Sequence, residues 1–183
     1  RTLHNTLSSD FSKIMDKLGM IEEQPRKENI KKFLRAIEIS KEIELENIEE
    51  LINGKYEIDR SEIIETIQAG REKLVSIQGN AGSGKSVVCK KLLKGKEYVL
   101  VTRAENLSTG KKVNELWDCD VEDAILWLEN KPLYIFIDAI EFIADCGDNA
   151  FTLLQEIYRL ADKYSNVYII TSCRTTDSSA FMK

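Results

Sequence analysis

The run Gln78-Gly79-Asn80-Ala81-Gly82-Ser83-Gly84-Lys85-Ser86-Val87-Val88 holds the residue types and spacing needed to grip a polyphosphate. Gly79, Gly82 and Gly84 allow positive φ and a close backbone approach that a Cβ would block. Successive amides from Gly79 through Asn80, Ala81, Gly82, Ser83 and Gly84 to Val87 can then face one anion, helped by the positive end of a following helix. Lys85 would set its ammonium between the terminal phosphates, and Ser86 would give Mg²⁺ a hard oxygen ligand. The context fits. "LVSIQ" before the loop reads as a strand and "SVVCKKLLKG" after it as a helix. The alternative is a glycine-rich strand-to-helix turn with no ligand.

Such a site needs a second acid at the tip of another strand, to hold the metal through water. "LYIFIDAIEFI" supplies Asp138 directly after an apolar run, at the rim where open α/β sheets bind ligands. A helix-capping role is the other reading of Asp138. The next residue is Ala139, so Glu141 is the candidate for orienting or deprotonating water, against the plainer reading of a surface acid. A fourth apolar run ends in "IITSCRT", where Thr171 or Ser172 could reach a terminal phosphate or the attacking water. Arg174 could read the phosphate charge through a forked contact, or stand as a solvent-exposed loop arginine.

The elements that must position these residues follow from periodicity. From Lys73 onward strands and helices alternate: "KLVSIQ", "EYVLVT", "LYIFID" and "NVYIITS" as strands, with "VEDAILWLEN" and "NAFTLLQEIYRLADKYS" as helices. Near-continuous apolar strands imply a parallel sheet covered on both faces. The expected fold class is α/β: a P-loop NTPase parallel sheet of four strands with flanking helices, preceded by an α-helical segment. Residues 1–70 read as that helical segment and 71–183 as the N-terminal part of the NTPase domain. Within the first part, Ile30, Phe33, Leu34 and Ile37 form an apolar stripe continued by Ile48 and Leu51. "SSDFSKIMDKLGM" forms an earlier helix, with Pro25 separating it from a longer one that starts near Lys27. Asn53-Gly54 marks a turn, and a third helix ends at Gly70. Trp117 and Trp127 read as core packing.

Composition narrows the class. The 183 residues are 43% hydrophobic and 31% charged, with a formal net charge of −5. That balance argues against a broad nucleic-acid footprint. No apolar run reaches about 18 residues, so no membrane span is expected. Cys89, Cys119, Cys146 and Cys173 form no paired motif, and His4 is the sole histidine, so zinc is not expected. Buried, reduced thiols in a cytoplasmic protein are the expectation.

Taken together, "GNAGSGKS", "YIFIDAIE" and "VYIITSCR" resemble the STAND class of signalling NTPases, and within it the NACHT-like ATPases. Ala139 and Glu141 match that family's small residue and later acid; Phe142 departs where a further acid is common, which bears on hydrolysis rather than binding. The resemblance spans roughly Arg71 to Thr175. It implies ATP/ADP and Mg²⁺ as cofactors, with Asp138, Glu141 and Arg174 in catalytic roles and Ser86 and Asp138 at the metal. It also implies that Arg71 and Glu72 lie near the adenine. Further implications are self-oligomerisation, effector and sensor domains outside this stretch, a fifth strand of the family core that this stretch stops short of, and a role in anti-phage defence or innate immunity. Two other readings stay open: an AAA+-type remodeller or replication loader, and a small P-loop kinase. The absence of an Asn-Lys-x-Asp signature favours adenine over guanine. A fourth strand lying between the first and third would mark the superfamily branch.

Overall fold

The computed structural model describes residues 23–50, 58–70, 72–109, 111–145 and 147–175. Four parallel strands make one sheet: β1 (Leu74–Gly79), β2 (Tyr98–Arg103), β3 (Leu133–Asp138) and β4 (Val167–Arg174). Their order is β1-β4-β3-β2, so the fourth strand lies between the first and the third. Register aligns Gly79 with Arg174 and Arg103 with Asp138, which brings these strand ends to one rim.

Alternation divides the strand side chains between two cores. On one face, Val99, Val101, Phe136, Ile170 and Ile77 pack against α3 (Lys85–Leu93) through Val88, Cys89, Leu92 and Leu93. Ile64 and Ile67 of α2 (Ser61–Gly70) and Leu45 complete that layer. On the other face, Leu100, Leu133, Ile135, Ile137 and Ile169 meet α6 (Val121–Leu128) and α7 (Asp148–Lys163). Helix α7 buries Ala150, Leu153, Leu154, Ile157, Leu160 and Ala161, a helical stripe. Lys73 closes its far end, donating to the carbonyls of Ala161 and Tyr164, where a cation suits the negative end of the helix. Helix α6 starts at Asp120, whose carboxylate accepts from Asp123 N–H at 3.1 Å. Between β2 and α6 lie two single turns, α4 (Ala104–Leu107) and α5 (Val113–Leu116).

The helical segment is built into these cores. Residues 23–39 form α1, which ends in a π-helical turn, Ser40–Leu45. Ile30, Phe33, Ala36 and Ile37 join the α7-side core, with the Phe33 ring stacked 6.3 Å from that of Tyr98. Leu34, expected in the stripe, is instead 43% exposed, because Ala36 occupies the inward position. Pro25 lies within the described helix rather than ahead of it. The π turn aims Ser40 at the outer edge of β2: Val101 N–H donates to Ser40 Oγ at 3.0 Å, and Trp117 Nε1–H donates to Val101 O at 3.3 Å. Trp117 is buried as expected, whereas Trp127, expected in the core, is exposed, its ring perpendicular to that of Tyr98. The earlier helix, Leu51, the Asn53-Gly54 turn, Arg71 and the stretch after Thr175 lie outside the described residues. Among the described residues, no helix is long and apolar enough to cross a membrane.

Candidate phosphate-binding site

The sequence between β1 and α3 folds as a tight loop because its glycines take conformations closed to most residues. Gly82 has φ +71° and Gly84 has φ +79°. Gly79 answers a different demand: a Cβ there would lie 2.5 Å from Ser83 Oγ. Ser83 N–H donates to Asn80 O at 3.2 Å and closes the turn over Ala81 and Gly82. Helix α3 then begins without a side-chain cap, and its first backbone bond is Val88 N–H to Gly84 O at 3.1 Å. The amides of Lys85, Ser86 and Val87 are therefore the donors that a helix start leaves open. Lys85 folds back over the loop, its Nζ donating to Gly79 O at 3.1 Å and Asn80 O at 3.0 Å. Its charge is held by these carbonyls, and among the described residues no carboxylate pairs with it.

Asp138, the last residue of β3, faces this helix start. Ser86 Oγ donates to Asp138 Oδ1 at 3.0 Å, and Ser172 Oγ donates to the same oxygen at 2.5 Å. Ser172 Oγ in turn accepts from Ala139 N–H at 2.8 Å. A 1%-exposed hydroxyl thus fixes both the carboxylate and the turn after it. Ala139 has φ +56°, a left-handed conformation costing a non-glycine residue about 1–2 kcal/mol. This reversal opens a 3₁₀ turn, Ile140–Asp145, that carries Glu141 back toward β4. There Glu141 Oε1 lies 3.1 Å from Arg174 Nε, and the Arg174 guanidinium sits 5.4 Å from the Phe142 ring centre.

The structure gathers Ser86, Asp138, Ser172, Glu141 and Arg174 at the strand ends beside the loop. It does not bring Thr171 with them. Alternation sends Thr171, 4% exposed, to the α7 face, where it hydrogen-bonds Tyr158. Burial holds that phenol above its ordinary value, partly offset by the Thr171 bond. Glu72 is exposed ahead of β1. Beneath the loop, burial and then the charge of Asp138 push the Cys89 thiol far up, so it stays a neutral packing group. Cys119 and Cys173 are likewise buried and unbridged, and among the described residues no cluster of metal-binding side chains of the zinc type occurs.

One contact had no counterpart in the sequence reading. Arg60, just ahead of α2, donates from Nη2 to Ser83 O at 2.5 Å, and a Cβ on Gly84 would stand 2.8 Å from the same nitrogen. The helical segment therefore braces the outer side of the loop. No motif announces it; an arginine before a Ser-Glu helix start is an ordinary pattern.

The donor set suits a hard divalent cation and a phosphate. Ser86 and Asp138 offer oxygens at hydrogen-bonding separation, the kind of ligand Mg²⁺ takes alongside water and substrate phosphates. Uncapped amides and Lys85 offer positive charge next to them. A cavity of about 780 Å³ opens elsewhere, between α1 and the end of β2, and shares no residue with the loop. A scan against protein-family models returns no match, and a search of curated proteins returns none either.

Proposed function

We propose that this chain is the ATP-binding switch module of a STAND/NACHT-type signalling protein, using Mg-ATP against ADP to control assembly with further copies of itself. The observation that carries the reading is the Ser86–Asp138 hydrogen bond beside Lys85 and an uncapped α3. A strand end and a helix start far apart in sequence converge there on an oxygen pair that suits a nucleotide-bound Mg²⁺. The position of β4 between β1 and β3 supports the same branch of phosphate-loop proteins.

In this reading the amides of residues 79–87 receive phosphate oxygens, and Lys85 exchanges its two carbonyl partners for them. Ser86 and Asp138 would hold the metal, Ser86 through its hydroxyl and Asp138 through water. Mg²⁺, when bound, neutralises phosphate charge and orients the chain of phosphates. Ser172 keeps Asp138 aimed, and Glu141 orients water. With Glu141 tied to Arg174, turnover is slow and the chain acts as a switch. Adenine recognition, effector and sensor domains, a cytoplasmic setting and a defence role belong to the same proposal.

Calorimetric titration of the full chain with Mg-ATP and Mg-ADP tests it. Binding is expected for both and is lost in Lys85→Ala. No heat from either nucleotide ends the proposal.

A further inference from the structure

Arg60 meets the glycine loop from outside, and its own backbone is anchored twice. Asp59 Oδ1 accepts from Ser61 N–H at 2.9 Å and from the Ser61 hydroxyl at 2.6 Å, which caps the start of α2 around Arg60. Ile64 N–H donates to Arg60 O at 3.1 Å, and Ile64 and Ile67 seat the helix on the α3 layer. From this fixed base Arg60 Nη2 donates to Ser83 O at 2.5 Å. A Cβ on Gly84 would meet Nη2 at 2.8 Å, Cζ at 3.3 Å and Nε at 3.4 Å, so the guanidinium lies over the bare Cα of that glycine. The neighbouring carboxylate is occupied with Ser61, and among the described residues no acid pairs with Arg60. A permanent cation with no acid of its own thus rests on the back of the loop.

The peptide joining Ser83 to Gly84 is trans, so its N–H points opposite to its C=O. Holding the carbonyl from the α2 side turns the Gly84 N–H away from α2. We propose that Arg60 is a positioning residue for a bound polyphosphate, fixing the Gly84 N–H in the direction that meets a phosphate oxygen, an inference resting on the reading of residues 79–87 as a phosphate site. The cation on Ser83 O also polarises that peptide, which strengthens its amide as a donor. One determinant of the site therefore lies outside the loop, on the helical segment ahead of the sheet. Displacing the start of α2 weakens phosphate binding while Lys85, Ser86 and Asp138 stay in place.

Calorimetric titration of the full chain with Mg-ADP and with Mg-pyrophosphate tests it. Arg60→Ala should weaken both about tenfold and by the same factor, because the Gly84 amide meets phosphate and not base. Arg60→Lys keeps a cationic donor for this single contact and should recover most of the loss. Where the wild type binds, Arg60→Ala binding equally well, or losing Mg-ADP alone, overturns the inference and leaves the site reading intact. A lysine variant as weak as the alanine one does the same. A wild type that binds neither ligand overturns both. The ¹⁵N–¹H signal of Gly84 separates positioning from a general loosening of the loop. It should move downfield with Mg-pyrophosphate in the wild type and move less in Arg60→Ala; equal movement overturns the proposal. So does a stationary Gly84 signal in a wild type that binds, whether or not the alanine variant folds.

Discussion

Ser86 and Asp138 share a hydrogen bond of 3.0 Å although 52 positions separate them in the chain. Neither residue reaches for the other by a long loop. Asp138 ends β3 and Ser86 lies in the first turn of α3, and the parallel sheet puts both ends at one rim. Ser172, one strand over, donates to the same carboxylate oxygen and so makes the geometry a three-element product.

Removing that third member tests how far it supports the site. Ser172→Ala leaves Asp138 short of one donor and Ala139 N–H without its acceptor. A loss of about 1–3 kcal/mol is expected in urea unfolding. Thr171→Val, on the other face, should leave Mg-dependent nucleotide affinity as it was while Ser172→Ala weakens it. Equal effects on affinity from the two variants would refute the division of labour between adjacent residues.

The loop glycines should not be equivalent. Gly82→Ala meets open space and bears only the cost of positive φ, about 1–2 kcal/mol. Gly84→Ala bears the same cost and also pushes Arg60 from Ser83 O, adding about 1 kcal/mol. Thermal denaturation of the two variants ranks them, and Arg60→Ala should narrow the gap. Gly82→Ala melting lower than Gly84→Ala would count against the brace.

Acid should expose one surface contribution. Hydrogen bonds from Lys163 and then Tyr164 hold the Glu122 carboxyl below its ordinary value of 4.5. A depressed acid stabilises the fold above that ordinary value and stops doing so as pH falls through the depressed one. The stability advantage of wild type over Glu122→Gln should therefore be present at about pH 6 and shrink toward about pH 3. The pair is half-exposed, so the effect is small and weakens with salt. Urea midpoints at the two pH values measure it, and an advantage that grows on acidification contradicts the assignment.

Much of the sheet was legible because parallel strands buried on both faces are written as unbroken apolar runs. "LYIFID" corresponds to β3 residue for residue, and its terminal aspartate landed where a strand end must put it. The loop was legible because its positive-φ positions call for glycine at Gly82 and Gly84. What could not be read was tertiary. Thr171 and Ser172 differ only in parity along β4, and choosing between them requires knowing which face carries α3. Ile170 on the α3 side settles that for its neighbour two positions on. The left-handed turn at Ala139 has no marker either, since alanine rarely adopts it and only the Ser172 bond and the 3₁₀ turn hold it there. The contact of Arg60 with a carbonyl 23 positions later depends on α2 packing on α3, which periodicity alone does not orient.

The two rims of the sheet are chemically unlike. On β2 the outward amide and carbonyl of Val101 are already spent on Ser40 and Trp117. On β1, Leu74 is 51% exposed, and no strand pairs with its far side among the described residues. Among the described residues, the edge left free for further backbone pairing is the one that leads into the glycine loop. Any strand annealing there would run alongside Gln78 and Gly79. One edge of the sheet is thus stitched to Ser40 and Trp117 at Val101, and the other runs open into the glycine loop.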